Sequence, residues 1–439
     1  MNVKTFAYVY TIKGSYIMKT LAIILFILMY VLLIIFKKHR AKIAIGTAIL
    51  FVITGILPYT EVFGAIDWNI LLMLFGTMVI VDYFIESKMP NLIADKLLDL
   101  APNVMWVTIL MSLFAGIISA FIDNVATLLM VAPVGLAICK KLKISPVPMI
   151  ICIAVSSNLQ GAATLVGDTT SIMLAGAAKM DFNDFFWMQG KPGIFFAVEL
   201  GALATVPIMM ILFCKDKEPV HSDEHTVVTD YIPTITMLGH VVFLVAASFF
   251  PNKPELTNGI ICMAWGILNI VWEIIASKGT DSMWHSLKAI DYDTMLLLAG
   301  LFCVIAGITN VGVIDDLAQI IAGTGKDNVF LLYTLIVFGS VIISAFIDNI
   351  PYVATMLPVL ASLSTVMAVD PLLLYFGLLI GATLGGNLTP IGASANIAGV
   401  GMLRKEGYEV SFGDFMRIGV PFTLTAVVVG YLFIWVVYA

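Results

Sequence analysis

Two carboxylates of this chain lie where a carboxylate is expensive. Ser119-Ala120-Phe121-Ile122-Asp123-Asn124 recurs unchanged as Ser344-Ala345-Phe346-Ile347-Asp348-Asn349, and each copy sits inside a long apolar run. An ionisable side chain at membrane depth costs at least ~2.5–3.5 kcal/mol and by default marks an ion, proton or substrate pathway. A stretch rich in Gly, Asn and Thr follows each copy, from Ser157 to Thr170 and from Gly385 to Asn396. A hard cation such as sodium takes several oxygen ligands. Asp123, Asn124, Thr127, Asn158 and Thr164, with nearby carbonyls, form one candidate set, and sodium is assigned to Asp123, Asn124, Asn158 and Thr164. Asp348, Asn349, Asn387, Thr389 and Ser394 form the other. A carboxylate buried alone takes up a proton, and beside a cation it releases it, so sodium and protons can compete for one seat. The halves differ within these stretches: Asp168 after Gly167 corresponds to Ala393 after Gly392, and Asn396 stands where the first half has Ser171. The ion is therefore expected in the first half and the substrate at the interface of both.

Elements that could hold such groups must be membrane helices. Of 439 residues, 60% are hydrophobic and 12% charged, against about 25% charged in a globular domain. The fold class is an all-α polytopic membrane protein. The net charge of -6 is spread over short connections, with no basic stripe for nucleic acid. Five scattered cysteines form neither a disulfide framework nor a CxxC pattern. No HExxH, GxSxG or GxxxxGK motif is present, so no enzyme activity, cofactor or ATP coupling is expected. Segments able to cross by the ~20-residue rule fall at 19–36, 41–59, 68–86, 193–214, 233–250, 257–276, 292–312 and 419–437. Residues 1–18 read as an N-terminal tail, with Met18 as an alternative start.

At an offset of 225, Gly161, Thr164, Gly167 and Gly176 match Gly386, Thr389, Gly392 and Gly401. Ala65-Ile66-Asp67 matches Ala289-Ile290-Asp291 at 224, and Asp184 matches Asp414 at 230. The chain is thus two copies of one unit: repeat 1 over 19–214, a cytoplasmic linker over 215–232 and repeat 2 over 233–439. In each copy two apolar arms, 104–142 and 329–366, meet at the Asp-Asn pair without a polar loop and read as a re-entrant hairpin. Broken helices follow at 146–178 and 371–401, then final helices at 193–214 and 419–437. Five crossings per copy make the repeats inverted, as in secondary transporters. With Lys37 to Lys42 inside, 16 of the 23 Lys and Arg residues, Lys278 among them, fall on the inner side. Both termini are then extracytoplasmic, in a plasma or inner membrane. The plainer readings are a tight turn whose Asp-Asn caps a helix, an Asp168 that is only a cap, and glycines that serve helix packing. Lone His240 reads as a packed residue, and Asp82, Glu86, Glu199 and Glu273 as interfacial ones.

Ile122-Asp123-Asn124-Val125-Ala126-Thr127 and Pro390-Ile391-Gly392-Ala393-Ser394-Ala395-Asn396 resemble signatures of the ion transporter superfamily. The resemblance is to the branch with the P protein, arsenite permeases and D-type sodium/proton antiporters. More distantly it reaches the divalent anion/sodium symporters, whose Ser-Asn-Thr hairpin tips are replaced here by Asp-Asn. The resemblance implies a homodimer in which a transport part moves as an elevator against scaffold helices, here 19–86 and 233–312. It implies a secondary active transporter coupling a small ion or oxyanion to proton or sodium flux by alternating access. Sodium/proton exchange and an arsenite or anion permease are the competing forms, and a passive channel is the remaining alternative.

Overall fold

The computed structural model describes residues 3–220, 226–228, 230–250, 252–277, 281–325 and 328–439; Lys278 and part of the expected 215–232 linker lie outside them. The described chain is almost wholly helical. Its first half runs α1 Val3–Ile35, α2 Arg40–Ile53, α3 Val62–Ala65, α4 Trp68–Glu86, α5 Met89–Leu100, α6 Val104–Ser119, α7 Asn124–Leu142, α8 Val147–Gly161, α9 Thr169–Ala178 and α10 Ile194–Leu212. The second runs α11 Ile232–Ala247, α12 Thr257–Ser277, α13 Asp281–Ala289, α14 Tyr292–Asn310, α15 Val313–Thr324, α16 Val329–Ser344, α17 Asn349–Met367, α18 Pro371–Gly385, α19 Ser394–Lys405 and α20 Phe412–Tyr438. Each helix of the first half therefore has a counterpart ten places on. Among the described residues, the β structure is a two-residue antiparallel ladder, Trp187–Met188 with Lys191–Pro192.

Repeated start signals explain why the same elements form twice. Asp67 and Asp291 cap α4 and α14, accepting from the Ile70 and Thr294 N–H groups at 3.1 and 3.0 Å. Asn103 and Asn328 cap α6 and α16 through the Trp106 and Leu331 N–H groups at 3.1 and 3.0 Å. Such caps satisfy donors that a helix leaves orphaned. Asp184 and Asp414 close matching capping boxes on Asp181 and Ser411.

Among the described residues, nine helices are long and apolar enough to cross a membrane: α1 from Tyr16, α4, α7, α10, α12, α14, α17, α18 and α20. The protein is an integral, multi-pass membrane protein. Two expected spans are shorter than the apolar runs suggested: α2 stops at Ile53, ahead of Pro58, which ends the run in a turn, and α11 stops at Ala247. The 146–178 and 371–401 stretches are each interrupted, at 162–168 and 386–393.

Packing repeats as the elements do. α4 lies along α12 and α2 along α14, while α6 packs on α8, α16 on α18, and α10 on α20. Glycine makes the first two contacts close. A Cβ on Gly300 would lie 2.7 Å from the Ala44 carbonyl carbon, and its counterpart on Gly76 would overlap the backbone of Cys262. Without a hydrophobic drive between helices in lipid, such close backbone approach supplies the attraction.

Candidate functional site

The two Asp-Asn tips occupy the same position in their halves. Asp123 ends the α6–α7 connection and Asp348 the α16–α17 connection, and each caps the helix that follows. Asp123 Oδ2 accepts from the Val125 and Ala126 N–H groups at 3.0 and 3.3 Å; Asp348 Oδ1 accepts from Ile350 at 3.1 Å. The broken helices lean on these tips. The Thr164 hydroxyl donates to the Ala120 carbonyl and the Thr389 hydroxyl to the Ala345 carbonyl. A Cβ on Gly167 would sit 2.5 Å from the Ser119 oxygen and 2.7 Å from that of Ala120; on Gly392 it would sit 2.8 and 2.9 Å from those of Ala345 and Ser344. Only glycine lets each break pass that close to the tip.

What surrounds the tips differs. A cavity of about 330 Å³ opens beside Asp123, lined from both halves by α4, α7, α9, α14, α17 and α19. Asp82, Asp123, Asp168 and Asp291 line it, with Asn124, Asn349, Ser394, Thr77, Thr169 and Thr294, and no Lys, Arg or His is among its lining residues. Asp168 is 3% exposed and caps α9; its Oδ2 accepts from the Thr170 hydroxyl at 3.0 Å, and that hydroxyl meets Thr383 of the other half at 3.0 Å. Two polar atoms, Asp82 Oδ2 and Asn349 Nδ2, are buried with no hydrogen-bond partner among the described residues. The N-termini of α7, α9, α14, α17 and α19 converge on the space. Each such end carries roughly +0.5 charge, so five supply about +2.5 against four formal negative charges. With all four carboxylates ionised the sum is negative, a lining that suits a cation with mixed oxygen ligands.

Asp348 faces elsewhere. Its Oδ2 is paired with the Arg40 guanidinium at the start of α2, and the Ser394 hydroxyl donates to the same oxygen at 3.4 Å. Lys37 donates to the Ile391 carbonyl at 3.4 Å. Burial, with the like charge of Arg40, draws the Lys37 ammonium below its ordinary value, and Asp348 opposes that shift.

Of the residues singled out by sequence, Asp123, Asn124, Asp168, Asn349 and Ser394 line the cavity. Asn158, Thr164, Thr127, Asn387, Thr389 and Asn396 are buried elsewhere in the structure. The set Asp123, Asn124, Asn158 and Thr164 is therefore not gathered at one point. Asn158 instead joins the halves: its Nδ2 donates to Asn387 Oδ1 at 2.8 Å and Asn396 Oδ1 at 3.0 Å, while Asn387 donates to the Val155 carbonyl at 2.8 Å. Asn396 donates to the Gly386 and Thr389 carbonyls, both at 3.0 Å, holding its own break open. Sequence reasoning did not single out Asp291, Thr294 or Arg40, and placed Asp82 at an interface. The 224-residue match to Asp67 was the one available signal for Asp291.

Known proteins share this architecture. The YdaH transporter of Alcanivorax borkumensis superposes with a TM-score of 0.59 over 86% of this chain and 87% of its own, at 13% identity. MtrF of Neisseria gonorrhoeae, described with a class of antimetabolite efflux pumps, does so with 0.57 over 88% and 83%, at 14% identity. In sequence, an uncharacterized transporter of Mycobacterium tuberculosis is 31% identical over 437 residues, covering 96% of this chain and 99% of its own length. The human P protein is 27% identical over 93% of this chain, which spans 58% of that longer protein. A family model described as a citrate transporter matches residues 30–381. This membrane protein belongs to the CitMHS citrate transporter family, within the ion transporter superfamily.

Proposed function

We propose that this transporter is secondary active and carries a cation, sodium in exchange or company with protons, through the cavity beside Asp123 and Asp168. One observation carries the reading: four carboxylates line a space with no basic side chain in its lining among the described residues. A bare polyanion placed there would meet like charge from α4 and from the starts of α7, α9 and α14. The convergent helix ends and the unpartnered Asn349 amide favour a second occupant, an anion such as the citrate of the family description, once its charge is covered by the cation or by protons. Arsenite or another oxyanion would enter under the same condition.

Alternating access follows from the duplicated, broken elements. The repeats are inverted in this reading, with both termini extracytoplasmic, which the inward bias of Lys and Arg supports. α1, α2, α4, α11, α12 and α14 pack chiefly among themselves, and α6 to α10 with α16 to α20 form a second body. That division supports scaffold and transport parts moving as an elevator in a homodimer, at odds with a fixed pore. Asp123, Asp168, Asn124 and Asn349 bind the ion, and Asp82 and Asp291 hold the field negative.

Proteoliposomes decide the matter. Sodium uptake driven by a pH gradient is expected in the parent protein. In Asp123→Asn it should fall more than about tenfold, the loss of a single ~1.4 kcal/mol interaction. Flux unchanged in Asp123→Asn, or anion flux with no cation dependence, sinks the reading.

A further inference from the structure

Asp348 repeats Asp123 in sequence, in its capping role and in the broken helix beside it, yet it lacks the space a free ion needs. The cavity at its side, lined by Tyr30, Lys37, Arg40 and Pro351 among others, measures about 10 Å³, at or below what one water requires. A guanidinium fills the place instead. The Arg40 side chain is 19% exposed and that of Asp348 5%, so the pair is largely withdrawn from solvent, where a lone carboxylate would be costly. The Tyr30 hydroxyl donates to the Pro351 carbonyl at 2.6 Å and meets Thr355 at the same distance, fixing α17 against α1 beside the pair.

Among the described residues, the first half shows no such cation at its Asp-Asn tip. α2 corresponds to α12, and at the offset of 224 to 225 Arg40 falls on Ala264 or Trp265. Trp265 packs against the apolar cluster containing Ile122, alongside Phe121 and Ala126. The position that corresponds to Arg40 thus carries an aromatic ring in the apolar cluster of Ile122, the residue before Asp123.

We infer that Arg40 is a tethered cation standing at Asp348 where a free cation stands at Asp123, so that the transporter loads one coupling cation although it carries two copies of the site. The inference rests on the cation reading of the Asp123 cavity. Arg40 is here a positioning and stoichiometry-setting residue that touches the carboxylate and not the transported ion. A protein-bound charge saturates Asp348 at any sodium concentration and cannot be released to either side. Among the described residues, Lys37 lines the same small cavity and is placed to replace it.

Purified protein in nanodiscs, with 22Na+ as the probe, tests this beside labelling of carboxyl groups by dicyclohexylcarbodiimide read by mass spectrometry. The parent protein is expected to bind one sodium per chain, to label at Asp123 with protection by sodium, and to leave Asp348 unlabelled. Arg40→Gln, or Lys37→Gln/Arg40→Gln where the lysine substitutes, should bind two and label at Asp348. Adding Asp348→Asn to the double variant should return the count to one, and Arg40→Lys should keep it at one. The thermal unfolding profile of each variant separates lost charge from lost fold. Labelling at Asp348 that is equal with and without Arg40, or a count of one in both Gln variants, overturns the inference. Failure of sodium to bind or protect Asp123 in the parent removes the cation reading instead, while the Asp348 labelling still reports on Arg40.

Discussion

Identical hexapeptides end in carboxylates with unlike surroundings, so what faces a side chain decides its chemistry here. Asp123 meets backbone N–H groups and a cavity; Asp348 meets Arg40. Asn158 shows the same dependence at the centre of the molecule, where a single amide serves Asn387 and Asn396. Asn158→Ala leaves two buried amide oxygens without that donor, at about 1–3 kcal/mol each. A clearly lower unfolding temperature is expected by scanning fluorimetry; an unchanged one would mean that the triad contributes no net stability. The repeated hexapeptide and the Asp168 to Ala393 difference were legible because they are matters of identity and spacing. Arg40 was not, since its contact spans 308 residues and a basic run after a span reads first as a topology marker. Asp82 escaped for another reason: four residues before Glu86 and near the end of α4, it looks interfacial until α7 and α9 are packed across it.

At the scale of elements, the two broken helices decide where everything else sits. Their interruptions were legible as Gly, Asn and Thr inside apolar runs, because an unwound backbone in lipid needs enclosed partners. The early end of α2 was not, because hydropathy continues past Ile53 while the helix does not. Gly167 sets how closely the first break approaches the tip of α6. In Gly167→Ala the new methyl meets backbone oxygens at 2.5 to 2.7 Å that no rotamer can move. Overpacking of this sort costs about 1–3 kcal/mol. Gly167→Ala is expected to unfold at lower temperature and to bind sodium weakly, whereas Gly401→Ala, with nothing within 4 Å of the added carbon, should match the parent in both. Equal behaviour of the two variants would show that the break tolerates displacement.

Across the whole molecule, ten helices answer ten, and the two bodies they form meet where α9 lies on α4 and α17 on α14. The duplication was readable from offsets alone; which helices of one copy pair with those of the other was not, because it depends on backbone approach at Gly76 and Gly300. A crosslink between the bodies tests relative motion. A Cβ on Gly176 lies 3.6 Å from Ile70 Cγ1, the position a cysteine sulfur at residue 70 would take, within reach of a disulfide whose Cβ atoms stand ~3.5–4.5 Å apart. Ile70→Cys/Gly176→Cys, made with Cys214→Ser because Cys214 is the exposed thiol among the five, is expected to halt uptake on oxidation and recover it on reduction. Full uptake in the oxidised form would rule out movement of α9 against α4. The Arg40–Asp348 contact joins those same bodies. With Arg40 held to Asp348 through the proposed cycle, no bare carboxylate is left at this tip to move through the membrane field, where a full crossing is worth about 2.3 kcal/mol per charge per 100 mV. The second tip is thus electrically silent, and an exchange of equal charges runs at a speed indifferent to the electrical state of the cell.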